Sequence, residues 1–455
     1  MSSFKTVNPA TEEVIAEHEL MPKDEVMSIT EQCDSAFRQW KAIDASTRAS
    51  YFRRLASVLR SKKDQYAKLM TIEMGKPLKQ SLTEVEKCAL TAEVYADNGP
   101  KWLEEELVQA DGKNHFVTFE PLGVILSIMP WNFPFWQAFR FGIPTLMAGN
   151  ASILKHSNVV PQCSLAIEES FREAGFPQNL FRSVITDHDT IASLIKSDLI
   201  QGVSLTGSTY AGARIAELAG KNLKKVVLEL GGSDPFIVLE DADLEVAAKN
   251  AVTGRTINSG QSCIAAKRFI VHKKIVKEFS ELFAKQMEKL KVENPMLLET
   301  DVGPLVNEDQ AEQIEEQVND AVKKGAKVLF GGKRLEGKGF FYMPTVLINV
   351  KNNMKVVKEE VFGPVAPIIP FNDDKEAVEI ANASEFGLGA SIWTNDESRA
   401  LKMARQIEAG CVFVNSVVKS DPRMPFGGVK KSGIGRELSK YGLKEFVNVK
   451  GINVY

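Results

Sequence analysis

Between residues 123 and 239, short apolar runs alternate with segments of helical spacing, and this alternation leaves few folds open to the chain. Strand-like runs fall at Val124-Ile125-Leu126-Ser127-Ile128-Met129, Ala151-Ser152-Ile153-Leu154, Gly202-Val203-Ser204-Leu205 and Val226-Val227-Leu228. Such an order is that of βαβ units around a mostly parallel sheet. After Gly231-Gly232 it restarts, with helices over 243–258 and 275–290 and strands at 269–272, 366–370, 390–394 and 411–415. The diglycine is therefore the expected boundary between two α/β units. Upstream, residues 22–105 read as helices, with Asp24 placed to cap the first and Gly75 with Pro77 breaking the run. Residues 114–120 read as an exposed strand able to pair with another segment or another subunit, and 331–339 as a polar surface loop.

At about 150 residues per domain a chain of 455 residues suggests three domains, and two larger ones fit equally well. Its net charge of −3 gives no basic surface for nucleic acid or anionic membrane. The N-terminus lacks an apolar core flanked by basic residues, and no run of about 18 apolar residues occurs, so the expectation is a cytoplasmic protein. The five cysteines are scattered without a Cys-x-x-Cys pair, and the five histidines show no ligand spacing. Neither a disulfide framework nor a metal site is expected.

Two residues stand out. Glu229 is a carboxylate inside the apolar run Lys225-Val226-Val227-Leu228-Glu229-Leu230. Such a group is either one half of a buried ion pair or a general base whose pKa desolvation has raised. Cys263 ends the small polar loop Asn258-Ser259-Gly260-Gln261-Ser262-Cys263, and reads either as a buried small hydrophobe or as a nucleophile. Asn132, in Pro130-Trp131-Asn132-Phe133-Pro134, follows a strand end and is conformationally fixed, as an oxyanion donor must be, although the motif also suits a plain turn. Gly207-Ser208 runs from a strand into a helix N-terminus, a place suited to phosphate, without the G-x-G-x-x-G fingerprint. Lys155, at the end of its strand, is a candidate for ribose or phosphate contact or simply a solvated lysine. Glu360, in Glu359-Glu360-Val361-Phe362-Gly363-Pro364, either accepts from ribose hydroxyls or faces solvent.

Taken in order, these motifs resemble the aldehyde dehydrogenase superfamily over nearly the whole chain, from Asn8-Pro9-Ala10-Thr11 to Pro425-Phe426-Gly427-Gly428 and Arg436-Glu437. The resemblance implies a Rossmann-like cofactor-binding domain over 1–109 and 123–231 and an α/β catalytic domain over 232–436. It also implies a small β bridging element over 110–122 and 437–455 that builds homodimers or homotetramers. Carried over, it makes Cys263 the nucleophile that forms a thiohemiacetal and then a thioester, Glu229 the general base, and Asn132 the oxyanion donor with the Cys263 amide. NAD or NADP would lie against Trp131, Lys155, Asn158, Gly207, Ser208, Glu360 and Phe362.

Within that superfamily, Ser233-Asp234-Pro235 after the diglycine and Arg140, eight residues after Asn132, resemble the succinate-semialdehyde dehydrogenase group. There Arg140 would meet the distal carboxylate of a small aldehyde substrate. A second arginine of that group is replaced by Ile257, which leaves Ser420 and Arg423 as candidates for the missing contact. Asn158 stands where strictly NAD-using members carry a glutamate, so use of both cofactors is expected. Ala265 leaves no neighbouring thiol for a disulfide with Cys263. The alternatives are other small aldehydes such as lactaldehyde or glutarate semialdehyde, a cysteine esterase without redox chemistry, which lacks the histidine such an enzyme needs, and a non-catalytic relative.

Overall fold

The computed structural model describes residues 3–455. Four helices, Lys23–Trp40, Ala45–Ser61, Lys63–Met74 and Leu78–Trp102, occupy the region expected to be helical. Asp24 does not cap the first of them. The cap position is Pro22, and Asp24 lies inside the first turn, where its charge faces the positive end of the helix dipole. Asp44 caps the second helix by accepting from the Thr47 amide, and the third ends at Gly75 in a left-handed conformation. The first helix packs on the first sheet, and the other three pack on one another and on helices Pro134–Met147 and Pro161–Glu173, with Trp40, Phe52, Tyr66 and Tyr95 buried in the shared core.

That sheet has six strands. Strands Val124–Met129, Ala151–His156, Phe181–Ser183, Ile200–Thr206 and Lys225–Glu229 run parallel. The chain leaves Val124–Met129 on one side, then returns to pair Ile200–Thr206 on the other. This makes the crevice between those two strand ends a topological switch point, where ligands settle in open α/β sheets. Strand Gly433–Ile434 closes the far edge, pairing antiparallel with Leu228 and Glu229.

The second sheet has seven strands and is parallel except at the edge strand Lys327–Phe330. It carries strand Ala266–His272 at its centre and packs against helices Leu244–Thr256 and Val276–Met287. Asp234–Val238 is one of its strands, although Asp-Pro is a turn signal in sequence. The Asp234 carboxylate is buried and accepts from the Gly389 amide, a tertiary partner that offsets the local preference. Residues 447–454 pair with 114–121 over eight positions, so the exposed strand finds its partner in the same chain. Among the described residues no helix is long and apolar enough to cross a membrane.

Candidate active site

Asn132 is held from both sides. Pro134 opens the helix Pro134–Met147, and the amides of Phe135 and Trp136 both donate to Glu84 Oε1, at 3.0 and 2.9 Å. Glu84 is itself buried and ion-paired with Lys76. The Asn132 carbonyl accepts from Asn258 Nδ2 at 2.7 Å, and its own Nδ2 donates to the Gln261 carbonyl at 3.1 Å. An amide nitrogen carries two hydrogens, so one remains for another acceptor.

The loop ahead of Cys263 turns through three successive left-handed residues, Asn258, Ser259 and Gly260. Only the third is glycine, and the reason is contact: a Cβ at Gly260 would overlap the backbone of Gly363. Backbone of this kind persists only where its surroundings over-determine it. Here Gln261 and Asn258 bond to each other, Ser259 bonds to Gly303, and the buried Arg255 donates to the Gly260 carbonyl at 2.7 Å. Lys267 completes the clamp, its Nζ donating to the carbonyls of Ser262 and Cys263 at 2.8 and 2.6 Å. Among the described residues the Cys263 amide has no partner within the chain. Burial pushes the Cys263 thiol up to about 12, opposed by the charges of Arg140 and Lys267.

Glu229 is 3 % exposed, and among the described residues neither carboxyl oxygen has a hydrogen-bond partner. Burial, followed by the charge of Glu437, raises its pKa to about 8. Gly427 lies directly against it at φ +148°, where a Cβ would sit 2.6 Å from Glu229 Oε1. The ion-pair reading of Glu229 therefore has no support in the contacts. The buried ion pair belongs instead to Arg140 and Glu437.

A cavity of about 460 Å³ has Cys263, Arg140, Lys87, Ser420, Trp136 and Phe426 in its lining. Arg140 enters it already engaged, with its Nη2 donating to Thr206 Oγ1 at 3.2 Å and its guanidinium over the Phe426 ring. Ser420 faces the cavity and accepts from Lys87 Nζ at 2.6 Å. Arg423 does not line it. Its side chain is 73 % exposed and makes a two-point pair with Asp421, because an arginine two residues from a carboxylate in an open turn meets that partner first.

On the other side of the first sheet's carboxyl edge is a cavity of about 730 Å³, walled by Ile128, Leu205 and Ile215 and edged by Lys155, Arg214 and Lys196. Lys155 is 8 % exposed, and its Nζ has a neutral partner, Asn158 Oδ1, at 3.1 Å. A buried ammonium without a counter-charge, opening on a concave site, fits an anionic ligand group. Ser208 caps the adjoining helix Thr209–Lys221, accepting from the Ala211 amide, and the Gly207 amide donates to the Glu229 carbonyl at 3.0 Å. Trp131 and Phe362 stand edge to face at 5.8 Å. Glu360 is partly occupied: its Oε1 accepts from the Gly232 amide at 3.1 Å and pairs with Lys267 at 3.2 Å.

Lys87, Lys267 and Glu437 escaped the reading of the sequence as residues of the site. Lys267 carried a signal, being a charge inside the apolar strand Ala266–His272, the same anomaly that singles out Glu229. Lys87 lies one turn after the buried Glu84, a spacing that places both on one helix face. Among the described residues no group of acids, histidines and cysteines is placed to hold a metal.

The aldehyde dehydrogenase family profile matches residues 1–452. The chain is 46 % identical over 450 residues to a probable succinate-semialdehyde dehydrogenase [NADP(+)] of Synechocystis sp., covering 99 % of both chains. It is 43 % identical over 447 residues to the succinate semialdehyde dehydrogenase [NAD(P)+] of Escherichia coli, covering 98 % of this chain and 97 % of the relative. Among solved structures, succinic semialdehyde dehydrogenase from Streptococcus pyogenes in complex with NADP+ superposes with a TM-score of 0.97 at 36 % identity, covering 99 % of each.

Proposed function

The chain belongs to the aldehyde dehydrogenase family, and on that premise we propose that it oxidises succinate semialdehyde to succinate with NADP or NAD. One observation carries the substrate: Cys263 lines one cavity with two cations, the buried Arg140 and the half-buried Lys87, in a chain whose full-length relatives bear the succinate-semialdehyde dehydrogenase name.

Cys263 gives up its proton to solvent and adds as the thiolate to the aldehyde carbon, and the resulting oxyanion is met by the free Cys263 amide and the remaining hydrogen of Asn132 Nδ2. A bound nicotinamide supplies the hydride acceptor that turns the thiohemiacetal into a thioester. Glu229 then takes a proton from the water that attacks the thioester carbon, and the Cys263 sulfur leaves with the acid released. A base at about pKa 8 is matched to that step near neutral pH.

The cofactor fits the second cavity. Lys155, without an acidic partner, and the exposed Arg214 would meet a ribose or its 2′-phosphate, and Asn158 brings no charge to repel one. Ser208, Gly207 and the helix amides beyond them would hold the pyrophosphate. Glu360 keeps Oε2 available for ribose hydroxyls, and Trp131 and Phe362 would border the nicotinamide end.

We assign residues 1–109 and 123–231 to cofactor binding, 232–436 to catalysis and 110–122 with 437–455 to bridging between subunits. Strand Val447–Val454 pairs along one edge only and leaves Val449 exposed, which supports a homodimer or homotetramer. All five cysteines are free, as suits a cytoplasmic protein. The test is a panel of small aldehydes assayed with each cofactor by the absorbance of reduced nicotinamide. Succinate semialdehyde is expected to give the highest kcat/KM, and an absence of reduction with every aldehyde overturns the proposal.

A further inference from the structure

We propose that Lys87 is the residue that selects for a carboxylate at the far end of the aldehyde, with Arg140 in a supporting place. This inference rests on the reading of the chain as an oxidiser of succinate semialdehyde.

The charge balance of the cavity at Cys263 leads to it. Two cations line that cavity besides the rim lysines Lys79 and Lys419, and they differ in one respect. Arg140 is already neutralised, since Glu437 forms a buried ion pair with it and Thr206 takes another of its donors. Among the described residues Lys87 has no acidic partner. The two carboxylates near enough to affect it are each claimed by another cation: Glu84 by Lys76, and Asp421 by Arg423. Glu84 also accepts from the Phe135 and Trp136 amides, so it has no free geometry for a second lysine.

What Lys87 does touch holds it in place without cancelling its charge. The ammonium lies 4.0 Å from the centroid of the Trp136 ring and donates to Ser420 Oγ at 2.6 Å. Lysine has three donors, and a neutral hydroxyl and a ring face leave capacity for an anion. Burial and the neighbouring Arg140 charge lower its pKa to about 8, which is the mark of an ammonium lacking a counter-ion. An incoming carboxylate relieves both penalties. An aldehyde with an alkyl terminus relieves neither and must desolvate Lys87 for nothing, so the same residue attracts one class and opposes the other.

Ile257 gives the cavity an apolar wall, and Lys87 supplies charge to it from the helix Leu78–Trp102. Its hydrogen-bonded companion Ser420 is then the second contact to the substrate carboxylate.

The test compares kcat/KM for succinate semialdehyde and for butanal in the wild type, Lys87→Met and Lys87→Arg. Methionine keeps the length and the contact with Trp136 and removes the charge. The preference for succinate semialdehyde is expected to fall by about 10- to 100-fold in Lys87→Met, the range of a hydrogen bond to a charged group, with the loss in KM rather than kcat. Lys87→Arg is expected to keep a clear part of the preference. A parallel fall for both aldehydes in Lys87→Met, or an arginine variant as unselective as the methionine one, overturns the assignment. A wild-type enzyme with no preference for the carboxylated aldehyde overturns the underlying substrate reading instead, and this inference with it.

Discussion

Arg140 and Glu437 form an ion pair with side chains 2 % and 5 % exposed, placed beside the unpartnered carboxyl of Glu229. The pair links the cavity at Cys263 to Glu229, because Glu437 raises the pKa of Glu229 while Arg140 lowers it.

Removing one partner is therefore expected to damage more than recognition. Arg140→Ala leaves Glu437 buried and unpaired next to Glu229, a defect of about 3–5 kcal/mol. A lowered thermal unfolding midpoint, together with reduced kcat/KM for carboxylated and plain aldehydes alike, is the expected outcome. Full stability in Arg140→Ala, measured by calorimetry, would contradict the structural half of that role.

Glu229 should act after the redox step. Glu229→Gln is expected to keep a pre-steady-state burst of reduced cofactor while steady-state turnover falls by about 10²–10⁴-fold. Stopped-flow absorbance decides: loss of the burst would give the carboxylate a part in activating Cys263.

The pH profile follows from the same residue. Glu229 works as a base only when deprotonated, and its pKa is raised to about 8. Steady-state kcat should therefore rise with pH up to about 8 and then level, falling about tenfold per unit below it. Glu229→Gln should lack this limb, and a wild-type rate flat from pH 6 to 8 would place the base elsewhere.

Lys267 is fully buried and is the cation that donates to the Cys263 carbonyl. Lys267→Met strands the Ser262 and Cys263 carbonyls and removes a charge that lowers the Cys263 pKa. Slower alkylation of Cys263 by iodoacetamide at fixed pH is expected, with about 1–3 kcal/mol of stability lost per stranded group. Unchanged alkylation kinetics would show that the lysine is structural alone.

Cofactor choice should turn on Asn158. Asn158→Glu gives Lys155 a counter-charge where it now has a neutral amide. KM for NADP is expected to rise by about 10- to 100-fold and that for NAD to change little. Equal changes for both would show that the 2′-phosphate lies elsewhere.

Much of this arrangement was legible beforehand, for identifiable reasons. Parallel strands buried on both faces leave continuous apolar runs, so Val124–Met129 and Ala151–His156 were visible as strands. A charge inside such a run is equally visible, which marked Glu229. Partner identity left no local trace. The pairing of Gly433–Ile434 with Leu228 and Glu229 is set by tertiary closure, and strand Asp234–Val238 begins with residues that favour a turn. Arg140 showed its charge in the sequence but could not show that Glu437 had already claimed it. Arg423 reads in the sequence as a candidate for the substrate contact that Ile257 leaves open, and only its pair with Asp421 shows it turned to solvent.

The antiparallel closure of strand Lys225–Glu229 by Gly433–Ile434 also sets an order of events during synthesis. The strand bearing Glu229 leaves the ribosome about 200 residues before its edge partner does, an interval of about 10–40 s at ordinary elongation rates. For that time it presents a bare, apolar edge to the cell. The nascent chain should therefore be a client of holding chaperones through this window, and translational pauses placed between residues 230 and 430 should lower the yield of folded enzyme.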